Sequence, residues 1–209
     1  MVQLSWDVLG FIYEDGIRGL RTMFERAAVG LDHHIKAAYV ELGNFDRAVE
    51  AGADSQIECD EDTGQVIYDH RDMLLYNTTT AEETKSILNK SIAVAAFHHW
   101  ERSARDWTKR PNGKFATLCE LVKAKGYPIS PKLEQLYMLV NLLKHSNSKD
   151  GIKLYDIRPD LFRRVFNPTL GQSDWYAEIL LSDDHMMEIF QVITTSGPSG
   201  VLDSPTFTS

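Results

Sequence analysis

Asn141 and His145 lie four residues apart in the segment Val140-Asn141-Leu142-Leu143-Lys144-His145. That spacing puts both side chains on one face of a helix. A histidine so placed has the chemistry of a general acid or base, because imidazole titrates near neutral pH. The surrounding helix is otherwise apolar, and polar groups in such a setting need partners. Two readings follow. The pair is structural and bonds to neighbouring helices or to the following loop, or it faces a cleft or a second copy of the chain.

The segment resembles the motif of HEPN domains, helical bundles whose late helix often carries Arg-Asn, three residues, then His. Here the Asn and His match in spacing, and Val140 stands where the arginine would be. The long helix before it, with aromatic and Glu residues over 97–101, is similar to the helix that precedes the motif in such proteins. The resemblance covers residues 80–150. It implies a helical bundle, a homodimer, and contact with RNA, a nucleotide or a protein in bacterial defence or toxin–antitoxin biology. In ribonuclease members the Arg and His of two protomers meet at the dimer interface and cleave RNA without metal. Valine cannot stabilise charge developing on phosphate, which is the arginine's part. The resemblance therefore implies a binding or regulatory domain before an enzyme. The alternative is a metal-independent ribonuclease using Asn141 and His145, with Lys144 as a substitute cation. Neither version calls for a cofactor.

A second group of residues fits nucleic acid. Arg102, Arg105, Lys109, Arg110 and Lys114 fall close together and alternate with Trp100 and Trp107. Cations beside aromatic rings hold phosphate and stack bases. The competing reading is a solvated helix end, where the dipole favours cations and the tryptophans pack inside. A third group is acidic: Asp54, Glu58, Asp60, Glu61 and Asp62. It reads as a solubilising turn, or as a docking face for a basic protein partner. The docking version makes the chain an acidic immunity or antitoxin protein.

The doublets His33-His34 and His98-His99 invite a metal reading, with Asp32 and Glu101 nearby. Helix bundles do build metal sites from facing side chains. Adjacent residues on a helix point in different directions, however, and the Glu-x-x-His order is absent, so no metal is expected. There is no nucleophile elbow, P-loop, dinucleotide fingerprint or zinc spacing.

The bulk properties bound these readings. A chain of 209 residues buries a full core without disulfides. Its net charge of -8 works against non-specific binding to nucleic acid, though not against a local basic site. Cys59 and Cys119 lack metal-ligand spacing and read as reduced packing residues of a cytoplasmic protein. The start MVQLSWDVLGFIYED has no basic leader region, and no apolar run reaches the roughly 20 residues of a membrane helix.

These residues need a scaffold, and the pattern predicts one that is mainly α: a helical bundle with one small β-hairpin insertion. One helical domain is expected over 1–195. Apolar residues recur at threes and fours from Ile17 to Leu42, which predicts a long first helix, extended upstream by Leu9, Ile12 and Tyr13. QIECDEDTGQVIYD alternates around an acidic, glycine-containing turn and predicts a hairpin at about 55–69. A second long helix is expected from Thr80, whose pairing with Glu83 resembles a capping box, to Trp107. A short helix follows from Phe115 to Gly126. The next begins at Ser130-Pro131, runs to His145 and is apolar on nearly every side, so it should lie at the centre. SNSKDG should break it. DLFRRVF should be helical, and 175–181 strand or irregular. Ser182 should cap a last helix, and 196–209 should be a disordered tail.

Overall fold

The computed structural model describes residues 7–146, 148–168 and 174–200. Among these residues the chain is a helical bundle with one small antiparallel hairpin, in the order α1 (Val8–Glu50), β1 (Ile57–Cys59), β2 (Val66–Asp69), α2 (His70–Thr108), α3 (Phe115–Ala124), α4 (Leu133–His145), α5 (Ser148–Ile157), a 3₁₀ turn (Pro159–Leu161), α6 (Trp175–Glu178) and α7 (Asp183–Thr194). No helix among them is long and apolar enough to cross a membrane. Contacts divide the chain into two compact units, Met1–Phe24 with Asn89–Ser209, and Glu25–Leu88.

The smaller unit pairs the later part of α1 with the first part of α2. Three polar links tie the two helices: Asp32 to Lys85 (2.5 Å), Tyr39 to Glu82 (2.6 Å) and Asp46 to Arg71 (2.8 Å). The α1 partners advance in sevens while the α2 partners retreat, so the helices are antiparallel. Ala28, Ala38 and Leu42 on α1, with Leu74, Thr78 and Ala81 on α2, are the buried residues between them. Seven-residue spacing with small and apolar residues at threes and fours is the sequence pattern of paired helices. Gly52, at φ +95°, ends α1, and the Ala53 N–H returns to the Ala48 carbonyl (2.9 Å). A left-handed glycine is the common way to end a helix.

β1 and β2 form the predicted hairpin, with Ile57 opposite Asp69 and Glu58 opposite Tyr68. Its tip is a turn built by Asp60, whose carboxylate accepts from the Asp62 and Thr63 N–H groups (3.1 and 2.7 Å) and from the Thr63 hydroxyl (2.8 Å). These bonds, the Thr63 hydroxyl first, hold the Asp60 carboxyl below its usual range. The alternation in sequence predicts a half-buried face, yet Ile57, Val66 and Ile67 are 47%, 54% and 68% exposed.

α2 starts ten residues before Thr80. Asp69, the last residue of β2, accepts from the Arg71 and Asp72 N–H groups (2.8 and 3.3 Å), which caps the helix directly at the end of the strand. Thr80 is an exposed residue within α2 and caps nothing.

The larger unit surrounds α4, which packs against α5, α6 and α7. Six α4 residues are buried: Leu133, Leu136, Leu139, Val140, Leu142 and Leu143. α4 starts two residues later than the Ser130-Pro131 pattern predicts. Ser130 still helps, since its hydroxyl accepts from the Lys132 N–H (3.3 Å). α3 docks through Phe115, which stacks on Tyr137 (4.2 Å, 2°) beside Phe97 and Trp100. The expected break after α4 is filled by α5. Of the helix expected over DLFRRVF, only the 3₁₀ turn forms, and Phe162 then bridges to Ile179. α7 is capped as predicted: the Ser182 hydroxyl accepts from the His185 N–H (3.2 Å), and the Ser182 N–H donates to His185 Nδ1 (3.1 Å).

Residues 196–200, expected as the start of the tail, lie against the first turns of α1. Ser196 is fully buried, and its hydroxyl donates to the Val192 carbonyl (2.6 Å) and accepts from the Ser130 N–H (3.0 Å). The Tyr13 hydroxyl donates to the Ile193 carbonyl (2.6 Å). The rest of that expected tail, 201–209, lies outside the described residues.

Candidate functional site

α4 brings Asn141, Lys144 and His145 to its C-terminal end. Asn141 is half-buried, and Lys144 and His145 are exposed. Ser146 closes the helix in the left-handed conformation, φ +47°, with its N–H returned to the Leu142 carbonyl (2.9 Å). On a helix, side chains four apart stand roughly 5–6 Å from each other at Cβ. Among the described residues neither the Asn141 amide nor the His145 imidazole has a hydrogen-bond partner. The pair is therefore not the buried structural pair that an apolar helix predicts, because Val140, Leu142 and Leu143 form the buried face here and Asn141 and His145 lie off it. Val140 is 1% exposed and belongs to the core. The position that would carry the motif's arginine points inward, and the one cation on this helix end is Lys144.

The basic end of α2 is built differently from its sequence pattern. Arg102, Lys109, Arg110 and Lys114 are exposed. Arg105 is half-buried and pairs with Glu101 (2.9 Å), while its Nε lies buried without a partner. Trp107 is 6% exposed and meets Tyr13 and Tyr127 edge-on at 4.8 and 5.6 Å. Trp100 is fully buried. Neither tryptophan offers a face on which a base could stack, so Trp107 drops out of the nucleic-acid set and the exposed cations remain. They fit phosphate, not bases.

The histidine doublets separate as adjacent helical residues must. His33 and His34 are exposed on α1. His98 reaches Glu101 (3.3 Å), and His99 turns inward onto Tyr13. Among the described residues no three His, Cys, Asp or Glu side chains stand close enough to hold a metal ion. Cys59 is exposed on β1, where a packing residue is expected. Cys119 is half-buried, and burial pushes its thiol up to about 11.

Sequence reasoning missed two groups. The first joins the start of α4, the 3₁₀ turn and α7. Arg158 spans Glu188 with two bonds (2.8 and 3.2 Å) and reaches Asp160 through Nη2 (2.8 Å), while Lys132 also pairs with Glu188 (2.5 Å). His185 adds a contact to Asp160 (3.2 Å). Because His185 Nδ1 accepts from the backbone, its proton sits on Nε2 and faces the carboxylate. The cleft beside this network has a free volume of about 20 Å³, room for one water and no ligand. Charges so fully paired in so little space serve the fold.

The second group is Asn89 and Lys90, both buried on α2. The Asn89 amide donates to the Leu181 carbonyl (2.7 Å), leaving its own oxygen without a partner. The Lys90 ammonium donates to the Tyr176 carbonyl (2.7 Å) and lies 4.3 Å from the centre of the Tyr176 ring. Burial, with Arg163 nearby, lowers its pKa. Nothing in a helix pattern marks a lysine as buried, since its partners are carbonyls about 90 residues away.

No family model matches the chain, and no curated protein or solved structure matches it.

Proposed function

We propose that the chain is a HEPN-like binding or regulatory domain that contacts RNA through the open end of α4. One observation carries the reading: Asn141 and His145 stand one turn apart, without partners, beside the exposed Lys144. Lone cations at this end and at the end of α2 suit phosphate contacts, which position a nucleic acid without reading its sequence. The buried Val140 favours binding over cleavage, since no arginine stands ready to neutralise a developing phosphate charge. A role in bacterial defence or a toxin–antitoxin pair, and a homodimer, come with the resemblance.

The test is binding of a fluorescein-labelled single-stranded RNA to the full chain, followed by anisotropy. Lys144→Glu should weaken binding, and Arg102→Glu should weaken it and flatten its salt dependence by about one phosphate contact. Absence of binding by the wild type would sink the reading. The same RNA incubated with EDTA tests the enzymatic alternative. Cleavage that His145→Ala abolishes would make His145 a general acid or base.

A further inference from the structure

The hairpin and the end of α1 enclose a second cleft, of about 300 Å³, at the lower bound of ligand pockets. It lies wholly within the smaller unit. Phe45 and Val49 from α1 and Ile57 from β1 give it an apolar wall. Ile57 is nearly half exposed there, although it lies on the strand that the sequence pattern would bury. Asp46, Glu50 and Asp69 give it three carboxylates against one cation, Arg71. Arg71 is already committed to Asp46 (2.8 and 3.3 Å) and Asp69 to the first N–H groups of α2, which leaves Glu50 as the carboxylate of the cleft without a partner. Glu50 is exposed and has no bonding partner among the described residues.

Two further features deepen the negative potential. Asp46 and Glu50 occupy the last turns of α1, the negative end of the helix dipole, where cations and not carboxylates are favoured. The adjoining hairpin adds Glu58, Asp60, Glu61 and Asp62. An apolar wall beside an unpaired carboxylate in an acidic surround matches one side-chain chemistry: a long aliphatic stem that ends in a cation. We propose that this cleft docks an arginine- or lysine-bearing segment of a partner protein, with the stem along Phe45, Val49 and Ile57 and the cation at Glu50. RNA phosphate is repelled here, so this is not the site proposed for RNA.

The probe is a fluorescein-labelled peptide of alternating Arg and Leu, with the Glu-Leu peptide as control, titrated into the full chain. The wild type should bind the basic peptide saturably and ignore the acidic one. Glu50→Lys should weaken binding by about tenfold, and Ile57→Ser should weaken it without changing its salt dependence. The double variant Glu61→Lys, Asp62→Lys, at the hairpin tip, should change it by less than about threefold. Circular dichroism checks that each variant is folded. No saturable binding, or equal losses from tip and cleft variants, would overturn the proposal. None of these variants should weaken RNA binding, so failure here and failure at α4 are read separately.

Discussion

The imidazole of His99 lies flat on the ring of Tyr13, with centroids 5.3 Å and planes 10° apart, and its Nε2–H donates to the Tyr13 carbonyl (3.0 Å). The ring occupies the space beside Gly16, where a Cβ would stand 2.3 Å from His99 Cε1. A residue that invites a metal reading in sequence is thus a packing element. It fastens α2 to the first turns of α1.

Two glycines of α1 should respond in opposite directions to alanine. A Cβ on Gly10 would meet the backbone of Ser199 at 2.3 Å, and backbone cannot yield as a side chain tip can. Gly10→Ala should cost about 1–3 kcal/mol of stability. Gly19 has open space around it, so Gly19→Ala should gain about 0.5–1 kcal/mol from helix propensity alone. Urea midpoints measure both, and equal shifts would contradict the packing.

The Arg158 network sets an acid limb of stability. The Arg158 hydrogen bond lowers the Asp160 carboxyl, against burial. Burial raises that of Glu188, but the bonds from Lys132 and Arg158 outweigh it, and the net shift is downward. With both folded values depressed, the unfolded chain takes up protons first as pH falls. The contribution is full above the ordinary carboxylate range, at about pH 5 and higher, and is lost as pH drops through the lower folded values. Arg158→Met should be less stable than wild type at pH 7 and should lose less between pH 5 and 3. Parallel midpoint curves would refute the assignment.

The two thiols should label at separate rates. Cys59 is exposed and should react with a disulfide reagent at the speed of a free thiol. Cys119 should react far more slowly at pH 8, since little of it is thiolate there. Single-cysteine variants assign the two phases.

The start of α2 gives a further test. Asp69→Ala should cost about 1 kcal/mol by removing the cap. Thr80→Ala, at an exposed mid-helix site, should stay within about 0.5 kcal/mol of wild type. A larger loss at Thr80 would restore the later start.

Periodicity made α1, α3 and α4 legible, and local chemistry marked the Ser182 cap and the hairpin. The first ten residues of α2 were not legible. HRDMLLYNTT carries no helical stripe, and what holds it is the Asp69 cap and the pairing with α1. α5 was hidden by Gly151, which reads as a breaker. There the glycine serves a contact: a Cβ would meet the Trp175 ring at 2.6 Å. At the candidate site, residue types and spacing placed Asn141 and His145 on one face, but exposure depends on where neighbouring helices end. Trp107 misled for the mirror reason, since two tyrosines distant in sequence cover it.

The hydroxyl of Tyr13 waits for a carbonyl 180 residues further along the chain. At ribosomal rates that is a delay of roughly 9–36 s between making the donor and making its acceptor. Until then α2 can cover Gly16 and the Tyr13 ring with His99 and Trp107, but Gly10 and the Tyr13 hydroxyl lack the partners that come after α7 begins. Completion of this fold is therefore timed by the synthesis of its last helix and not by the formation of its first.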